Sequence, residues 1–144
     1  MWRQLITDLG RQVGLAVPAT VEMIAALEKA LGQPVPPPLA ELLWETNGVE
    51  GEYSPLVWSA EEIVTNNLQF RTNPDFAEIY MPFIPLLFFG DNGGGDQFAF
   101  AYPLEHHIGV YVWDHETDSR QWVARSLEAY LRHAVTDSGG DWWR

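Results

Sequence analysis

Apolar residues recur at helical intervals through the first third of the chain, switch to continuous and alternating runs, and then return to helical spacing. Trp2, Leu5, Ile6, Leu9 and Val13 set one stripe on an amphipathic first helix, which Gly14 and Pro18 end. Thr20 caps a second helix carrying Met23, Ile24, Leu27 and Leu31, with Gly32 as its stop. The proline run 34–38 is a stiff connector into a third helix through Leu39, Leu42 and Leu43, expected to end at Asn47-Gly48. Leu56, Val57 and Trp58 form a short strand. Ser59 and Glu62 then make a capping box for a helix expected to be short, because Asn66, Asn67, Thr72, Asn73 and Pro74 weaken it.

From residue 82 to 89 a dense apolar run predicts a buried strand, which enters the turn Asp91-Asn92-Gly93-Gly94-Gly95-Asp96. The chain leaves that turn as an alternating strand, with Phe98, Phe100 and Tyr102 on one face and Ala99 and Ala101 on the other. Residues 110–113 and 121–124 predict two more strands, and Ser126 caps a last helix with Leu127, Tyr130, Leu131, Ala134 and Val135 on one stripe. Helices, then strands joined by short turns, then a helix indicate an α+β fold. Its antiparallel sheet is packed by the N-terminal helices and the C-terminal helix. One domain over 1–144 is expected, with a core of about 20–135 and a tail over 136–144.

Charge narrows the function. The formal net charge is −12, and between Lys29 and Arg120 the only basic residue is Arg71. Such a field repels nucleic acid and anionic membrane, and it steers a basic protein partner. No apolar run is long enough to span a bilayer, the first residues lack a signal-peptide pattern, and cysteine is absent, so a cytoplasmic protein is expected.

The glycine turn resembles a phosphate cradle only in composition. Asp91 and Asp96 bracket Gly93, Gly94 and Gly95, and no cation lies between Arg71 and Arg120, so the turn reads as structural and binds no nucleotide. Nor do the two aspartates begin a calcium loop, since the distal glutamate is missing. His106-His107 with Asp114, His115 and Glu116 is the strongest metal or catalytic candidate, but it has no ligand spacing and reads as solvated loop. No G-x-S-x-G occurs. The expectation is no catalytic residue, no metal and no cofactor. Trp58 and Trp113 read as core, and Trp142-Trp143 as folded back on the domain.

Four segments in order resemble the SUKH superfamily, which includes the Smi/Knr cell-wall-regulator-like proteins. They are Val35-Pro36 followed by Leu42-Leu43-Trp44-Glu45-Thr46-Asn47-Gly48; the glycine turn with Gln97-Phe98; Val110-Tyr111-Val112-Trp113-Asp114-His115-Glu116; and Ala124-Arg125-Ser126-Leu127-Glu128-Ala129-Tyr130-Leu131. The resemblance implies a non-enzymatic protein-binding domain of the bacterial immunity type, which neutralises a cognate basic toxin domain such as a nuclease. A regulator or scaffold of the same family is the alternative reading, and a small hydrolase a more distant one. The expected contact face draws on Glu50, Glu52, Asp91, Asp96, Asp114 and Glu116, with nearby aromatics as anchors.

Overall fold

The computed structural model describes residues 1–10, 13–136 and 142–143. Helices α1 (Trp2–Leu9), α2 (Val21–Leu31) and α3 (Pro37–Leu43) come first, with strand β1 (Gly14–Leu15) between α1 and α2. Strands β2 (Val49–Glu50) and β3 (Pro55–Val57) follow, then helices α4 (Ala60–Thr72) and α5 (Pro74–Ile79). A meander of β4 (Leu86–Asp91), β5 (Gln97–Ala101), β6 (Val110–Trp113) and β7 (Arg120–Ala124) leads to α6 (Leu127–Thr136). The meander is a four-stranded antiparallel sheet in sequence order, and β1, β2 and β3 form a small second sheet. The α+β expectation holds.

Helices cover both faces of the meander, which is why β4 and β5 read as near-continuous apolar runs. On one face, Phe70 of α4 packs on Phe88 and Trp113 at ring distances of 4.7 and 5.5 Å. On the other, Tyr130 of α6 meets Phe89 and Phe98 at 5.1 and 4.9 Å. Trp58 and Trp113 are buried, as their strand positions predict.

Several element ends differ from the sequence reading. The first helix stops at Leu9, and Gly14 pairs with Glu50 instead, so the stripe ending in Val13 crosses from helix to strand. Its continuation through Arg11 and Gln12 lies outside the described residues. The third helix ends at Leu43, before Asn47. Asn47 then spans to α4, where its Oδ1 accepts from the Ala60 N–H at 2.8 Å. The buried strand begins at Leu86, and residues 82–85 approach it as irregular chain.

Helix α4 runs thirteen residues, opened by the expected Ser59–Glu62 box. Asn67 does not shorten it. This buried amide donates to Ile63 O at 2.7 Å and Phe88 O at 2.8 Å, and accepts from Phe88 N–H at 2.9 Å. A residue that competes with helix in solution is thus held by bonding both its own helix and the adjacent strand.

The two sheets meet where β3 crosses β4. Trp58 N–H donates to Phe89 O at 2.7 Å, and the Tyr130 hydroxyl donates to Leu56 O at 2.7 Å. Burial, and then the nearby Asp91 charge, push Tyr130 well above the usual tyrosine range, so it stays a donor. At Gly90 a side chain would bring Cβ within 2.2 Å of Leu56 O. Only glycine lets the two backbones approach this closely. Gly90→Ala should therefore destabilise the protein by about 1–3 kcal/mol, the usual range for forced overpacking. Gly94→Ala should stay within about 0.5 kcal/mol, as expected for an exposed turn. Paired urea titrations check both, and equal midpoints would contradict the crossing.

Candidate functional site

Antiparallel hairpins put the β4–β5 and β6–β7 loops at the same end of the meander, and the β2–β3 hairpin joins them there. The Ser54 hydroxyl donates to Asp91 O at 2.9 Å, tying the hairpin to the base of the glycine turn. A Cβ on Gly93 would lie 3.4 Å from Ser54 Cβ, and one on Gly95 would lie 2.8 Å from the His115 ring. Gly93 and Gly95 also adopt φ of 81° and 111°, which L residues rarely reach. The glycines therefore serve two needs at once: reversal of the chain and close approach of three loops.

Inward-turned carboxylates lock these loops, and each accepts from a tryptophan indole. Asp91 accepts Trp58 Nε1–H at 2.9 Å on one oxygen and Gly93 N–H at 2.7 Å on the other. Asp96 is 2% exposed; its Oδ1 accepts His115 N–H at 3.2 Å and lies 2.7 Å from His115 Nδ1. Its other oxygen accepts Trp143 Nε1–H at 3.3 Å. Asp118 accepts Trp113 Nε1–H at 2.7 Å, Met81 N–H at 2.9 Å and Arg120 at 3.1 Å. Burial alone would raise the Asp118 pKa, but these donors and the Arg120 charge outweigh it and hold the carboxyl below its ordinary range. Within the turn, Asn92 Oδ1 accepts from Gly94 and Asp96 N–H at 2.8 and 3.1 Å.

The six acids expected at a contact face therefore separate. Glu50, Glu52 and Glu116 are exposed, and Asp114 is half-buried next to Glu116. Asp96 is inside, so its expected contact role gives way to holding the loops. Asp91 is partly buried and occupied in the same way. Tyr53, at the tip of the β2–β3 hairpin, is 68% exposed, an aromatic that the sequence reading missed. Its neighbours Glu50 and Glu52 were the available signal. Trp142 and Trp143 do fold back: Trp142 stacks on Phe98 at 5.5 Å and on His133 at 5.4 Å. The glycines of the expected tail lie outside the described residues.

His106 and His107 sit in the β5–β6 loop at the opposite end of the meander, away from Asp114, His115 and Glu116. Asp96, Asp114 and His115 do cluster, with one ligand-capable atom of each within 4.8 Å of the others. The N–H donors on Asp96 account for both of its oxygens, and Asp114 Oδ1 accepts Glu116 N–H at 2.8 Å. That donor set ties loops together and does not call for a cation. No helix among the described residues is long and apolar enough to cross a membrane.

A two-sheet α+β domain with a loop-built anionic end is the class that this geometry defines. The chain matches the SMI1 / KNR4 family (SUKH-1) over residues 18–133 and belongs to it. No curated protein matches it.

Asp118→Asn should cost about 1.5–3 kcal/mol at neutral pH, because an amide turns a donor toward N–H groups that need an acceptor. The sign with pH follows from the lowered pKa. The Asp118 contribution is present above the ordinary value of 3.8 and is lost as pH falls through the lower folded value. Denaturation from pH 7 to pH 2 should show the wild-type advantage over the variant shrinking below that value. A gap that is constant with pH would contradict the assignment.

Proposed function

We propose that this chain is an immunity protein that neutralises a cognate bacterial toxin, a basic domain such as a nuclease, by binding it directly. The observation that carries this reading is the convergence of three loops into one end where Glu50, Glu52 and Glu116 are exposed while other carboxylates fix the loops from within. Glu50, Glu52, Asp114 and Glu116 supply the field, and Tyr53 supplies an aromatic contact. A cationic groove made to hold a phosphate backbone would meet complementary charge here. Coulomb attraction would speed the encounter, and buried apolar contact would set the lifetime.

Membership in the SUKH-1 family supports a binding role, and the anionic end supports a basic protein over nucleic acid or an anionic lipid surface. No bond-making step is assigned to the domain. The acids act by charge, and Asp91 and Asp96 act by holding the loops that present it.

The test is co-expression with the product of a toxin gene adjacent to this one, together with association kinetics of the purified pair. Wild type should restore growth. Glu50→Lys, Glu52→Lys and Glu116→Lys combined should slow association by about tenfold or more at low ionic strength, and added salt should narrow that gap. An unchanged rate in a folded triple variant would rule out the anionic end as the contact, and failure of wild type to bind would rule out that pairing.

A further inference from the structure

Beside the anionic end, α5 and the irregular chain after it enclose a groove of about 150 Å³. Phe70, Phe76, Ala77, Tyr80, Phe83 and Ile84 line it. None of the residues of α5 is buried, and Ile79, Met81 and Ile84 are 66, 57 and 60% exposed within six positions of one another. Apolar side chains concentrated on one surface mark an interaction site more often than chance exposure.

We infer that this groove is an anchor pocket that takes one apolar side chain from a cationic protein partner. The inference rests on the anionic end being the binding face, because the two share a wall. The Tyr80 hydroxyl donates to His115 O at 2.9 Å, and Met81 N–H donates to Asp118 at 2.9 Å. A partner seated on Glu116 therefore also reaches Met81.

Size and charge select the occupant. An apolar cavity of roughly 150 Å³ holds one benzene-sized group, so a leucine or a phenyl ring is the fitting knob. The cations at the groove are turned inward: Arg71, which also lines it, donates to Leu31 O, Leu86 O and Gln33, and Arg120 donates to Met81 O, Pro82 O and Asp118. The exposed charges nearby are Asp75 and Glu78 on α5 and Glu116 beyond the shared wall. Lysine or arginine beside the knob would be compensated there. A second copy would set −12 against −12. An apolar centre next to exposed charge is the usual anatomy of a protein interface.

The test uses ¹⁵N-labelled protein and three heptapeptides: a lysine-rich one with a central leucine, its alanine analogue, and its glutamate-for-lysine analogue. The leucine–lysine peptide should shift the amides of residues 76–84 and 114–118, and each analogue should bind at least fivefold more weakly. Ala77→Phe, which fills an exposed side of the groove, should remove the leucine dependence and keep the lysine-dependent shifts at Glu52 and Glu116. Equal binding of the leucine and alanine peptides, with lysine-dependent shifts retained, would overturn the pocket and leave the anionic face standing. Absence of lysine-dependent shifts would overturn both.

Discussion

Three aspartates, each accepting a tryptophan indole N–H, hold the loop end of this molecule together. Trp58 bonds Asp91, Trp113 bonds Asp118 and Trp143 bonds Asp96. A carboxylate taken out of water is costly unless donors replace its hydration. These donors come from different elements, so satisfying each acid also fixes one loop to another part of the chain. The indoles bring large apolar bodies as well, and Trp58 and Trp113 spend theirs in the core. Glu50, Glu52 and Glu116 are exposed and give the end its field.

That division of labour has a consequence for binding. Loops that order only on contact lose conformational entropy in the complex, whereas loops already locked do not. The glycine turn, with its φ values above zero and its internal amide contacts, is held before any partner arrives. On the proposed reading, a rigid anionic end beside an apolar groove would give both a fast encounter and a place to seat an anchor. The same reading would account for the charge of the chain and for its exposed Met81 and Ile84.

Much of this was legible in the sequence, and the misses share a cause. Periodicity located the meander, the Ser59 capping box and the last helix, since each is specified by residues close in sequence. The two-residue strands β1 and β2 carry too short a pattern to show. The length of α4 was underestimated because Asn67 is a helix competitor whose tertiary partner, Phe88, lies 21 residues away. Asp96 looked like a surface acid because its neighbours are glycines. Its burial comes from His115 and Trp143, which no local pattern connects to it. The groove by α5 was hidden because its walls, between Phe70 and Ile84, take shape only when α4, α5 and the chain before β4 fold against one another.

The claim on which the rest depends is that inward carboxylates make this loop end rigid in the free protein. Backbone ¹⁵N relaxation measures it directly. Order parameters for residues 93–95 and 115–117 should approach the ~0.85 of rigid backbone, close to those of the neighbouring strands. Values below about 0.6 would show flexible loops and contradict the account.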